Sequence, residues 1–342
     1  MSWVRPKKLR AMGILGMNRR NVAYISRYND RTNYPLVDDK LKTKLMAQKM
    51  GLHVPALKHV IRAQHEVETI AGVLAELSSF VIKPAQGSGG KGILVIKGRT
   101  EAGFLKSSGD LIDLNGIKRH LTNVISGLHS LGGRTDVAII EALVETTEIF
   151  EQVSFEGVPD IRLIVFKGFP VMGMLRLATH ASDGKANLHQ GAVGVGLDIG
   201  TGRAIAAVQH NRLIEAHPDT GADLKRIAVP NWQQLLVLAA RCYEATRLGY
   251  LGCDIVIDRN LGPLLLELNA RPGLSIQIAN AEGLLPRLEQ IEALDSPFMT
   301  IQDRVEDAMA WFGRSAATEQ ASLWAESPED NAAASGAEGE HP

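Results

Sequence analysis

Two apolar strands interrupted by acids constrain this chain most: Cys253-Asp254-Ile255-Val256-Ile257-Asp258 and Leu264-Leu265-Leu266-Glu267-Leu268-Asn269, joined by Arg259-Asn260-Leu261-Gly262-Pro263. Side chains in a strand alternate faces, so Glu267 and Asn269 point the same way and Asp254 can face them across the hairpin. A carboxylate in an apolar strand is costly unless a charge or a metal pairs with it. Two carboxylates and an amide oxygen on one face make a hard, all-oxygen cluster suited to magnesium and substrate phosphates. The plainer alternative is a pair of acids neutralised by nearby Arg or Lys, such as Arg271.

The rest of the chain sets the context. Its 342 residues suffice for one large or two ordinary domains with a real core, and 45% hydrophobic with 22% charged residues is a soluble globular balance. No apolar stretch reaches membrane-spanning length, and the basic N-terminus lacks the apolar centre of a secretory signal. Cys242 and Cys253 make neither a disulfide framework nor a metal-binding spacing, so a reduced, cytoplasmic protein is expected. Charge is unevenly spread. Residues 315–342 carry six acids and no Lys or Arg, which leaves +5 on the remainder against a net −1. That tail, rich in Ala, Ser, Glu and Gly, is expected to be disordered. Residues 1–37 form a basic arm with eight Lys or Arg and only Asp30 against them. Such a segment could touch nucleic acid, yet it carries no recognisable binding motif, and a solvated arm or an anion-binding lid is favoured.

Periodicity predicts a helix from Asp38 to Met50, a strand over Leu57–Ile61, a helix over Glu66–Leu77 and a strand over Phe80–Pro84. A glycine loop over Gly87–Gly92 and the strand Ile93–Ile96 follow, then a mixed helical stretch through Leu131. Strands are expected at Val137–Val144, Ile161–Phe166, Val171–Leu177 and Ala192–Leu197. A buried helix spans Trp232–Thr246 and precedes the hairpin. Helices after Ser275 and over Asp303–Phe312 close an α+β fold in two lobes, 38–137 and 138–314.

Gly87-Ser88-Gly89-Gly90-Lys91-Gly92 fits G-x-G-x-x-G, a weak signal alone. A dinucleotide fold needs a helix directly after such a loop, and here a strand follows. A glycine-rich hairpin tip can instead lie over a triphosphate and donate backbone N–H groups; the alternative is a merely flexible tip. Lys83 interrupts an apolar strand just before the loop, where a buried ammonium needs an anion such as a nucleotide phosphate. Lys40 and Lys185 are weaker candidates, since most lysines are solvated.

With Asp39-Lys40-Leu41-Lys42-Thr43-Lys44, Val81-Ile82-Lys83-Pro84 and the glycine loop, Asp160-Ile161-Arg162, Ala186-Asn187-Leu188-His189-Gln190-Gly191-Ala192 and Gly252–Gly273 in this order, the chain resembles the ATP-grasp superfamily. It looks closest to the α-L-glutamate ligases of the ribosomal-protein-modifying (RimK) type, and also resembles sugar-transfer-associated ATP-grasp proteins. The resemblance implies an ATP-grasp fold, two α+β lobes gripping ATP, with a short N-terminal arm in place of the usual leading α/β domain. It implies that Lys40 and Lys83 contact the phosphates under the loop Gly87–Gly92, and that Glu141, Ala142 and Leu143 meet the adenine or ribose, with Glu151 as the rival hinge acid. It also implies that Asp160 lies near the nucleotide, Lys185 and Asn187 near the terminal phosphates, and Asp254, Glu267 and Asn269 on magnesium or manganese, as two ions.

The expected activity is an ATP-dependent carboxylate–amine ligase working through an acyl phosphate. Lys83, Lys185, Arg176 and Arg271 would stabilise the equatorial oxygens of the transferring phosphoryl group. Arg271 stands where the glutamate ligases have a small residue, and a guanidinium suits a carboxylate or acyl phosphate. His189 is a candidate base for the amine, with a structural histidine as the alternative. Arg19 and Arg20 of the arm are expected to serve an acidic substrate. Expected partners are small-molecule or peptide carboxylates and amines, with no membrane insertion or nucleic acid and with homo-oligomerisation left open. The rival functions are a non-catalytic nucleotide-binding module and a ribosome- or RNA-associated protein using the basic arm.

Overall fold

Alternating side chains build the first lobe. In β2 (Phe80–Pro84) Phe80 and Ile82 join the core, while Val81 and Lys83 face the opposite side. In β6 (Ala138–Glu141) Ala138 and Ile140 turn to the same core, and Ile139 and Glu141 turn away. With β1 (Leu57–Ile61), β3 (Leu94–Thr100), β4 (Gly103–Lys106) and β5 (Leu111–Ile112) these strands form an antiparallel sheet in the order β1-β6-β2-β3-β4-β5. Helix Leu114–Ile125 covers its core face with Ile117, Leu121 and Val124, a helical spacing, and Asp113 caps its start by accepting from the Gly116 N–H. The computed structural model describes residues 6–87, 89–294 and 299–314. The acidic tail and Ser88 of the glycine loop lie outside the described residues.

The second lobe is a seven-stranded antiparallel sheet. Its strands are β7 (Asp160–Phe166), β8 (Phe169–Leu177), β9 (Val193–Leu197), β10 (Ala204–Gln209), β11 (Arg212–Ile214), β12 (Tyr250–Asp258) and β13 (Gly262–Asn269), ordered β11-β10-β9-β8-β7-β12-β13. Helices Trp232–Thr246 and Ile301–Phe312 pack on this lobe and contribute Leu235, Leu236, Ala239, Val305 and Phe312 to its core. β12 is buried along its whole length. Its acids are therefore held in an interior.

Several expectations are corrected here. The stretch between the glycine loop and Leu131 is not all helical: β4 and β5 precede its helix. The boundary at 137/138 moves, because β6 pairs with β1 and β2 and so belongs to the first sheet. The strands β10 and β11 had no counterpart in the sequence reading. The arm is not solvated either, since Leu15, Tyr24, Ile25 and Val37 are buried in the second lobe's core. Tyr24, Tyr28, Phe166 and Tyr250 pack there, mostly edge to face, at ring-centroid distances of 5.0 to 6.5 Å. Arg19 pairs with Glu289 at 2.7 Å, and the buried Arg20 donates to the Pro272 carbonyl at 2.7 Å. Arg20 is thereby taken up by the protein, whereas Arg19 stays half exposed in a surface pair. Among the described residues no helix is long and apolar enough to cross a membrane.

Candidate active site

A cleft of about 780 Å³ runs between the two lobes. Val81, Lys83, Val95 and Glu141 of the first sheet form one wall, and Val256, Leu266 and Glu267 of the β12–β13 hairpin form the other. The linker Ala142–Thr146 closes one side, and Ala142 and Leu143 line the cleft there. Backbone bonds tie this linker to both lobes: Ala142 N–H donates to Ala56, and Arg259 N–H donates to Glu145. Glu141 is 3% exposed at the end of β6, whereas Glu151 sits at the rim, half exposed and paired with Arg259 at 3.0 Å.

Lys83 has its anion inside the protein. Its ammonium bonds Glu141 Oε1 at 2.5 Å, and Lys44 approaches Oε2 at 2.9 Å. The anion that Lys83 was expected to need is thus supplied by Glu141, and Lys83 also lines the cleft. Burial alone would raise the Glu141 carboxyl; the Lys83 and Lys44 ammoniums outweigh it and leave it below the usual glutamate value. Lys44 was not recognised from sequence. Its position four residues after Lys40 puts it on nearly the same helix face, which is the signal that could have found it.

Lys40, at the start of helix Lys40–Lys49, joins the two lobes. Its ammonium lies 3.0 Å from Glu267 Oε1 and donates to the Gly87 carbonyl at 2.7 Å. The loop beyond Gly87 is a hairpin tip between β2 and β3, as expected. Gly92 adopts φ +76° with its Cα against the His129 ring, a place only glycine fits. The tip reaches the second lobe: a Cβ on Gly90 would stand 3.8 Å from Lys185 Cδ. Lys91 is exposed on the same tip. Lys185 itself pairs with Asp183 at 2.8 Å, Asn187 accepts from the His189 N–H to cap its own turn, and His189 is exposed beside it.

The hairpin gathers the oxygen donors. Asp254 stands directly opposite Glu267 and Gly252 opposite Asn269, so the three side chains share a face. Asn269 Nδ2 is 3.3 Å from Asp254 Oδ2. The neutralising groups of the plainer alternative are present as well, but they are Arg162, Arg176 and Lys40 rather than Arg271. Arg162 bonds both Asp254 oxygens at 2.7 and 2.5 Å, and Arg176 spans Asp254 and Asp160. Arg176 is therefore no free cation for a phosphoryl group; it fixes the two aspartates. Burial would raise the Asp254 carboxyl, but the Arg162 and Arg176 guanidiniums hold it well below the usual carboxylate range. Asp160 goes the other way. Burial, aided by the Asp254 charge, pushes it up to about 6 despite Arg176. Among the described residues no three His, Cys, Asp or Glu gather at one point. The candidate donor set is two carboxylates and an amide oxygen, a hard set that fits magnesium, and Glu267 already accepts one cation in the Lys40 ammonium.

The sequence pattern of the sugar-transfer-associated ATP-grasp family matches residues 19–293. The chain belongs to that family. No curated protein matches it. Among solved structures this ATP-grasp chain is similar to D-cycloserine synthetase DcsG, with 16% identity over 80% of this chain and 78% of that one and a TM-score of 0.46. It is also similar to the ATP-grasp ligase PsnB complexed with a phosphomimetic variant of minimal precursor, Mg and ADP, at 15% identity over 78% and 61% and a TM-score of 0.43. A third is D-alanine–D-alanine ligase from Bacillus anthracis complexed with ATP, at 14% identity over 83% and 68% with a TM-score of 0.40. The chain spans under two thirds of the length of PsnB. None of these matches singles out the glutamate ligases.

Proposed function

We propose that this ATP-grasp chain is an ATP-dependent carboxylate–amine ligase that forms an amide through an acyl phosphate. One observation carries the reading: Lys40, on a helix that packs against both lobes, meets Glu267 of the second lobe in an interlobe cleft lined by both apolar and charged side chains. Val81, Val95, Val256 and Leu266 make a slot of the right character for a purine ring. Lys40, Lys83 and Glu267 mark the phosphate end. Ala142 and Leu143 offer backbone groups to the base edge, and the tip Gly87–Gly92 covers the phosphates beside Lys185.

The residues present set out the chemistry. A substrate carboxylate oxygen attacks the γ-phosphorus of ATP, the bond to the β-phosphate oxygen breaks, and ADP leaves. The amine then attacks the acyl carbon, phosphate departs, and the amine's surplus proton passes to solvent. The first step develops negative charge that Lys40 and Lys185 are placed to stabilise. Magnesium held by Asp254, Glu267 and Asn269 would neutralise the β- and γ-phosphate oxygens. Arg162 and Arg176 keep Asp254 ionised and aimed, acting through it.

The test is ADP release with magnesium across a panel of carboxylate–amine pairs. At least one pair should raise ADP release well above the rate with ATP alone, and Glu267→Gln should remove that increment. ATP binding with no pair-dependent ADP release would show a nucleotide-binding module instead.

A further inference from the structure

Beside the nucleotide cleft lies a second chamber of about 430 Å³, and Lys40 and Glu267 form part of both walls. Its remaining lining comes from Gln86, Gly87, the end of β13 through Arg271, and the N-terminal segment Tyr34–Asp38. That segment packs against β13 because Val37 is buried in the second lobe's core. The chamber thus opens at the phosphate end, two residues past the candidate metal ligand Asn269.

Two charges of opposite sign face this space without meeting. The Arg271 guanidinium lies 5.5 Å from the centroid of the Tyr34 ring. Among the described residues neither Arg271 nor Asp38 makes an ion pair. Partial burial nonetheless raises the Asp38 carboxyl, with Arg271 and Lys40 pulling it back, so the fields of both cations reach it. Two ions that line one hollow unpaired can each exchange water for a ligand group of opposite charge. A guanidinium stacked on an aromatic ring presents its fork to a carboxylate. Asp38 answers only a cation. A second carboxylate on the ligand would face Asp38 and be repelled, and a ligand without an amine would leave it unanswered.

We infer that this chamber binds the carboxylate-donating substrate as an amino-acid zwitterion, its carboxylate on Arg271 beside the phosphates and its ammonium on Asp38. What happens to the bound group rests on the ligase reading; its recognition does not.

Hydroxylamine tests this without knowledge of the natural amine, because it attacks the acyl carbon, releases phosphate and leaves a measurable hydroxamate. The full chain with ATP and magnesium is offered free amino acids singly, then their N-acetyl forms. For the preferred amino acid, N-acetylation should raise KM at least tenfold in the wild type. In Asp38→Asn that penalty should shrink to under threefold, a selective loss that misfolding cannot imitate. Arg271→Ala should raise KM for the free and acetylated forms alike. Equal use of both forms by the wild type, or an undiminished penalty in Asp38→Asn, overturns the inference. Calorimetry of the same compounds with magnesium and a non-hydrolysable ATP analogue separates the two readings. Amino-acid binding that still senses acetylation, without hydroxamate from any carboxylate, overturns the ligase reading and keeps the chamber. Hydroxamate from simple carboxylates, without amino-acid binding, does the reverse.

Discussion

Glu141 is held between two ammonium groups, and each of the three would be expensive without the others. The carboxylate is 3% exposed and Lys44 and Lys83 are nearly as buried. Removing one member of such a set leaves charge stranded in the interior, at a cost of about 3–5 kcal/mol. Glu141→Ala should therefore destabilise the chain by that order, read from urea unfolding, whether or not nucleotide is present. The pH dependence has a definite sign. Because the folded carboxyl lies below the usual glutamate value, its contribution is complete above the unfolded value and is lost as pH falls through the folded one. The acid limb of stability should be shallower in Glu141→Gln than in the wild type; an identical limb would remove Glu141 from the account. Sequence singled out two of the three, Lys83 and Glu141. Lys83 stood out because it breaks an apolar strand, whereas Lys44 shares its helix with Lys40, Lys42 and Lys49, and only its spacing of four from Lys40 sets it apart.

At the scale of elements, the hairpin β12–β13 was the easiest part to read and the N-terminal segment the hardest. The hairpin's acids interrupt long apolar runs, so charge and periodicity point to the same face. The N-terminal segment hides its apolar anchors, Leu15, Tyr24, Ile25 and Val37, among eight basic residues. Its docking also depends on side-chain amides that imitate backbone pairing, which no periodicity reports. Gln277 accepts from the Leu15 N–H and donates to the Leu15 carbonyl. Asn29 does the same for Tyr250 and lies within reach of the Ala270 carbonyl as well. Losing that amide leaves buried backbone groups without partners, at about 1–3 kcal/mol for each. Asn29→Ala should lower the melting temperature, and Asn29→Asp should also do so because its second oxygen cannot donate. A variant that melts with the wild type would show that water replaces the amide. β4 and β5 escaped for another reason: they are four and two residues long, and the polar turn Ser107-Ser108-Gly109-Asp110 between them reads as loop.

Across the whole molecule, the two lobes meet through the linker, the Lys40–Glu267 pair, the helix Lys40–Lys49 and the Leu265 N–H that donates to the His53 carbonyl, so a ligand in the cleft acts on both lobes at once. A ligand bound only to the folded chain stabilises it by mass action, about 2.7 kcal/mol at a hundredfold excess over Kd. Each kcal/mol is worth about 2–4 °C in a chain of this general size, so ATP with magnesium should raise the melting temperature by about 5–10 °C. The same experiment separates the charges. Lys83→Ala should melt lower even without ligand, because Glu141 is left with Lys44 alone. Glu267→Gln should melt close to the wild type without ligand, since its partner Lys40 keeps the Gly87 carbonyl and partial access to water. With ATP and a chelator, Glu267→Gln should shift as the wild type does. Adding magnesium should then raise the wild type further and leave Glu267→Gln where it was. A full magnesium increment in Glu267→Gln would place the metal away from the hairpin, and the acids of β12 and β13 would then be read through their arginines and Lys40 alone.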